Sequence, residues 1–159
     1  MAKKNQIGLD QDKSKSLAEK LNMLLSDYQL FYINARGFHW NIAGDKFFEL
    51  RVKFEEIYTD ALVKIEEIAE SILTLSHTPF LSFTSYVKTS SIKEATNIAD
   101  GKEAVGHVLT GFQELLKAER ELLSLSAEAN DEGTNALMSN HIREKEKPAW
   151  MYTAFLKNK

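Results

Sequence analysis

The stretch from Lys46 to Leu75 contains neither glycine nor proline, and its apolar residues recur every three or four positions. Phe47, Leu50, Phe54, Tyr58, Ala61, Ile65, Ile68 and Ile72 fall on one side of a helix; Glu49, Lys53, Glu56, Asp60, Lys64 and Glu67 fall on the other, predicted wet, side. Such a helix is a rod of about 45 Å. A rod that long with one apolar side must be covered by others like it, and the chain supplies them.

From Ser16 to His39 the stripe Leu17, Leu21, Leu24, Tyr28, Phe31, Ala35 and Phe38 predicts a first helix. Asn41 to Asp45 breaks the pattern, with Gly44 suited to a turn and Asp45 to an N-cap. A third helix is expected over Ala99–Ala129, where Gly106 and Gly111 would permit close helix contact. A fourth is expected over Asn135–Leu156, kinked or restarted at Pro148, which lacks an N–H. Residues 76–98 are less periodic and too long for a tight hairpin. They read as a crossover with one short helix near 83–89. The predicted class is therefore all-α: a ferritin-like four-helix bundle over 16–159 with a long crossover between helices 2 and 3. Residues 1–15, with Lys3, Lys4, Lys13 and Lys15, read as a flexible basic arm able to touch phosphate.

Composition narrows the chemistry. With no cysteine, disulfides, thiol nucleophiles and cysteine-based metal sites are out. A net charge of −3 argues against a nucleic-acid binder working through overall positive charge. No apolar run approaches the roughly 20 residues of a membrane span, and MAKKNQIGLDQDKSKS lacks a leader's apolar stretch, so a cytoplasmic location is expected. No Gly-rich phosphate loop, Gly-x-Ser-x-Gly elbow or His-Glu-x-x-His occurs.

What remains is a row of carboxylates. With Glu55 as the origin on the second helix, Glu66 lies at about 20° and Glu70 at about 60°, beside Leu62, Ala69 and Leu73. Carboxylates with a histidine suit iron or manganese, and His39 ends the first helix near its core side. Spacing alone is met more often by a solvated row paired with lysines. Of the other histidines, His77 sits at a helix end, His107 has no close acidic neighbour, and His141 with Glu144 reads as a surface contact. The absence of Glu-x-x-His argues against the usual di-iron site inside a bundle.

Several segments resemble one family. Phe38-His39-Trp40-Asn41, Gly44 and Phe47-Phe48 are similar to the end of the first helix of the Dps proteins, the DNA-binding proteins from starved cells. Ile65-Glu66-Glu67-Ile68-Ala69-Glu70 resembles their acidic motif Asp-x-x-(Ala/Met)-Ala-Glu. Ser91-Ile92-Lys93 resembles the start of their third helix. Asp131-Glu132-Gly133-Thr134 and Glu146-Lys147-Pro148-Ala149-Trp150-Met151 resemble their fourth. The likeness runs in order from about residue 17 to 156.

The resemblance implies a hollow twelve-subunit shell that oxidises Fe2+, stores Fe3+ and limits oxidative damage; nonspecific DNA contact through Lys3, Lys4, Lys13 and Lys15 is left open, since the arm also carries Asp10 and Asp12. It implies a ferroxidase site between subunits, where His39 and Glu55 of one chain meet Glu66 and Glu70 of its twofold partner. Trp40 would lie nearby, in a packing role. Two departures follow. Arg51 stands where the family has a second histidine, and a guanidinium cannot ligate iron. Glu55 and Glu66 stand where aspartate is usual. The second iron position therefore reads as impaired, with Arg51 pairing Glu55. The competing expectation is a protective shell or nucleoid protein with little iron chemistry.

Overall fold

The computed structural model describes residues 3–157. Its elements are α1 (Gln11–Asn41), α2 (Phe47–Thr74), α3 (Phe83–Thr89), α4 (Gly101–Glu128) and α5 (Glu132–Leu156), with no strand among the described residues. Three of the four long helices, and α3, start on a side chain that accepts a backbone N–H three residues on: Asp10 from Lys13, Ser82 from Ser85, Asp100 from Glu103 and Asp131 from Thr134. α2 is the exception. Its N-cap is Lys46, without a side-chain cap, so Asp45 does not take the role expected of it. Gly44 does turn the chain, at φ 108°.

α1 packs chiefly on α2, α4 on α5, and α1 also on α4 and α3. Buried Leu17, Leu21, Leu24, Phe31, Phe54, Ile68, Val108, Leu115 and Met138 make one continuous core. The crossover is pinned along α1 by three polar side chains. Asn22 bonds the Thr78 carbonyl at 3.1 Å and the Phe80 N–H at 2.8 Å. Asp27 accepts from the Ser91 N–H at 2.8 Å and from the Ser90 and Ser91 hydroxyls at 3.0 Å. Asn34 bonds the Lys93 carbonyl and the Ala95 N–H. Burial nonetheless raises the carboxyl pKa of Asp27, with those hydrogen bonds working against the rise.

The basic arm expected over 1–15 needs correction within the described residues. α1 begins at Gln11, so Lys13 and Lys15 lie on it and Ser14 is buried. Residues 3–10 form a closed turn: the Gln11 N–H bonds the Lys3 carbonyl, and the Asn5 side chain takes the Ile7 and Leu9 N–H groups. Gln6 ties this turn to the Thr74 carbonyl and to Ser76 at the end of α2. The cause is local, because Asp10 caps a helix whose polar first turn carries no apolar stripe. Met1 and Ala2 lie outside the described residues.

Pro148 sits within α5, which runs on past it. Of the two glycines expected to permit close helix contact, only Gly111 does so. A Cβ there would meet the Phe31 ring at 2.6 Å, whereas one at Gly106 would meet nothing within 4 Å. Gly106→Ala is expected to stabilise by up to about 1 kcal/mol through helix propensity. Gly111→Ala is expected to be destabilising relative to it, since overpacking costs about 1–3 kcal/mol. Urea midpoints of the two variants check this, and equal midpoints would show that Phe31 yields freely.

Candidate metal centre

His39 lies in the last turn of α1 and is buried. Its Nδ1 is 2.9 Å from the Arg51 carbonyl oxygen. A carbonyl only accepts, so Nδ1 carries the proton, and in the neutral ring the lone pair is on Nε2. That Nε2 faces the exposed Glu55 carboxylate at 3.7 Å. The Tyr58 ring packs edge-on against the imidazole, with centroids 5.4 Å apart. The result is a histidine held in one tautomer with its free nitrogen beside a carboxylate, which is a two-donor start to a metal site.

Arg51 acts differently from expectation. Its guanidinium does not pair with Glu55. It donates to the His39 carbonyl oxygen at 2.9 Å and lies 6.0 Å from the Phe47 ring centroid. Arg51 and His39 are thus bonded twice, each through the other's backbone carbonyl. The last carbonyls of α1 lack intrahelical partners, and a cation there suits both the hydrogen bond and the helix dipole.

Glu66 and Glu70 sit on α2 at 11 and 15 residues beyond Glu55, which is about 16 and 22 Å along the axis. One chain therefore brings His39 and Glu55 together but not Glu66 and Glu70, and no group of three His, Asp or Glu able to hold a metal occurs among the described residues. The three carboxylates do share a setting. Glu55, Glu66 and Glu70 lie on a single exposed face of α2 with Phe48, Val52, Leu62 and Leu73, whose exposures run from 49% to 78%. Large apolar side chains lined up with carboxylates on bare helix are poor solvent surface.

A second polar cluster was not legible as such. Lys64, assigned to the wet side of α2, is buried and bonds Asp60 at 2.7 Å and Glu144 at 3.1 Å. His141 is buried too and does not make a surface contact with Glu144. Its Nε2 faces Glu67 at 3.2 Å and its Nδ1 faces buried Glu119 at 3.7 Å. Glu119 also accepts from the Tyr28 hydroxyl at 2.6 Å and from Lys145 at 3.3 Å, and Lys145 in turn bonds Tyr28. Four helices thus converge on charged groups inside the bundle. Burial drives three of these groups towards their neutral forms: Glu119 and Tyr28 are raised and Lys145 lowered. Burial, then the Lys145 and Lys64 charges, bring His141 down to about 3. The available sequence signal was spacing, since Lys64 falls three after Ala61 and four before Ile68.

A bundle of four long helices with a bridging crossover, carrying carboxylates and a fixed histidine at one helix face, defines a ferritin-like protein. The ferritin-like domain family model matches residues 18–159. A Dps protein of known structure from Vibrio cholerae O1, described as a member of a superfamily of ferritin-like diiron-carboxylate proteins, is 54% identical with a TM-score of 0.96, covering 99% of this chain and 98% of that one. A DNA protection during starvation protein of Porphyromonas gingivalis is 36% identical over 93% of each chain. An uncharacterized protein of Haemophilus influenzae is 48% identical over 95% of this chain and 94% of its own length. The chain belongs to the Dps family of ferritin-like proteins.

Proposed function

We propose that this protein is an iron-storing, protective shell in which two copies of the chain together bind ferrous iron, oxidise it with peroxide or oxygen, and pass ferric iron into a cavity. The observation that carries the reading is the α2 face on which Glu55, Glu66 and Glu70 alternate with exposed Phe48, Val52, Leu62 and Leu73. If two α2 helices cross antiparallel about a twofold axis near Leu62, Glu55 of one copy comes opposite Glu66 and Glu70 of the other. The apolar residues then bury each other, and His39 Nε2, already beside Glu55, completes a set of one nitrogen and three carboxylates. Such donors suit Fe2+, which is substrate and cargo here. Each ferrous ion gives up one electron to the oxidant. The protein's own part is to hold His39 in one tautomer through the Arg51 carbonyl and to concentrate negative charge. Family membership supports the same reading, as iron storage and protection against starvation stress. A dodecamer is the assembly we propose.

Absorbance-monitored oxidation of Fe2+, together with light scattering, tests the proposal. Expected are a mass many times that of one chain and oxidation that saturates at a fixed number of irons per pair of chains. A mass of one chain would defeat the whole reading.

Arg51 favours a second reading, a protective shell with little ferroxidase activity, because a permanent cation stands where a second imidazole would ligate. Saturable Fe2+ oxidation well above that of a His39→Ala variant decides against it.

DNA contact, if used, would involve Lys3, Lys4, Lys13 and Lys15, all exposed at the α1 end of the bundle. Since Asp10 and Ser14 are structural, the clean variant is Lys→Glu at those four positions and not a truncation. Gel-shift affinity is expected to fall steeply between about 50 and 200 mM salt, and to be lost in that variant. Unchanged shifting would remove these lysines from the interface. No helix among the described residues is long and apolar enough to cross a membrane.

A further inference from the structure

α2 and α5 are joined by the Lys64–Glu144 and His141–Glu67 pairs. Towards the start of α2 and the end of α5 they stand apart. The cleft between them has a volume of about 650 Å³, and its floor reaches the core through Phe31 of α1 and Phe112 and Leu115 of α4. Leu50 and Ile57 of α2 and Tyr152 of α5 form its walls. That is the size and character of a small-molecule site: mostly apolar, concave, with polar groups at one end.

Charge tells which molecule fits. Each rim carboxylate already has a lysine within 4 Å: Glu49 with Lys46, Glu56 with Lys53, and Asp60 and Glu144 both with Lys64. At the inner end Lys145 is matched by Glu119. Among the described residues, Arg143 and Lys147 have no carboxylate partner, and Arg143 bonds only the Asn140 side chain. These two cations are exposed, four residues apart on one face of α5, and both line the cleft. Asp60 and Glu144 share one lysine, so one carboxylate charge is left over against these two cations, and the mouth stays net positive by one above an apolar trough.

We propose that this cleft binds a single-chain aliphatic carboxylate, with its hydrocarbon tail lying along Ile57, Phe112, Met151 and Phe155 and its carboxylate held between Arg143 and Lys147. An alkyl cation would be repelled by the net positive mouth, and an uncharged chain would forgo the charge-assisted hydrogen bonds that a guanidinium offers a carboxylate. The site is distinct from the α2 face that carries Glu55, Glu66 and Glu70, so it stands or falls independently of the iron chemistry.

The test is calorimetric titration of sodium dodecanoate, kept below its self-association concentration, into the assembled full-length protein. Dodecanol and dodecyltrimethylammonium serve as comparators. Dodecanoate is expected to saturate at one per chain and to bind at least about tenfold more tightly than either, a difference of about 1.4 kcal/mol. The exposed double change Arg143→Glu/Lys147→Glu is expected to weaken it by a similar factor without altering the helical circular dichroism. Ile57→Trp, which fills the trough, is expected to remove binding. Absence of saturable binding, as when a neighbouring copy covers the cleft in the assembly, overturns the proposal. So does dodecanol binding as tightly as dodecanoate, or charge reversal that leaves dodecanoate affinity unchanged.

Discussion

Glu70→Ala is expected to abolish tight Fe2+ binding and with it fast oxidation. Glu70 is one of three carboxylates that the proposed twofold arrangement would place around the metal, and removing a unit charge about 4 Å from a cation at an effective dielectric near 20 costs about 4 kcal/mol per unit of cation charge. That corresponds to roughly a thousandfold or more in affinity. Because Glu70 is exposed and makes no side-chain ion pair among the described residues, the loss should come without loss of fold. Binding of Fe2+ to Glu70→Ala as tight as to the natural protein would place the metal elsewhere.

Arg51→His is the companion experiment. It removes a permanent positive charge beside the proposed centre and supplies a neutral nitrogen, so Fe2+ oxidation is expected to rise. It also removes the guanidinium that bonds the His39 carbonyl, while the Arg51 carbonyl that holds His39 Nδ1 belongs to the backbone and stays. A fall in oxidation would therefore show that the guanidinium clamp at the end of α1 matters more than the repulsion. Two irons already bound per site in the natural protein would remove the limiting role from Arg51.

The largest effect on stability is expected from Glu119→Ala. Among the described residues this buried carboxylate is the sole carboxylate partner of Lys145, itself buried, and it also takes the Tyr28 hydroxyl. Leaving one partner of a buried pair uncompensated costs about 3–5 kcal/mol, whereas replacing both by apolar groups is often close to neutral. The double change Glu119→Leu/Lys145→Met should thus recover most of what Glu119→Ala loses, as read from urea midpoints at pH 7. A loss of less than about 1 kcal/mol in Glu119→Ala would mean that Lys145 finds solvent through the cleft, a smaller cost than that of an unpaired buried charge.

His141 adds a pH signature to the same cluster. Burial and the Lys145 and Lys64 charges bring its pKa down from 6.5 to about 3. A depressed folded-state pKa means the unfolded chain takes up the proton first. Stability from this group is full above pH 6.5 and drains away as pH falls towards 3, by up to about 4–5 kcal/mol. The His141→Gln variant should show a shallower decline than the natural protein between pH 6.5 and 4. Parallel declines would mean that His141 charges without leaving its place.

The four long helices were legible because each repeats its apolar residues over many turns, and periodicity averages well over about twenty-five residues. Even the short α3 matched its expected bounds, since Ser82 is a strong cap and Ser90 ends the run. The Dps resemblance rested on His39-Trp40, the spacing to Glu66 and Glu70, and Trp150-Met151. What periodicity could not resolve was the border of a stripe. Each residue turns a helix by about 100°, so Lys64 and Glu66 both sit at an edge, and only the packed partners decide which goes in. α5 approaches α2 from the Lys64 side and draws Lys64, Glu67 and Glu144 into one network. Nothing among the described residues covers the Glu66 side, so that face stays bare.

The amino-acid sequence by itself thus determined an all-α bundle, its crossover and the one helix face rich in carboxylates, because these depend on residues close along the chain. Tertiary structure alone decided the rest. It turned Arg51 to the His39 carbonyl instead of Glu55, buried His141 against Glu119, folded residues 3–10 onto the end of α2, and parted α2 from α5. Each of these depends on groups far apart in sequence, where the outcome is set by which partner reaches a desolvated charge first in space, not by spacing.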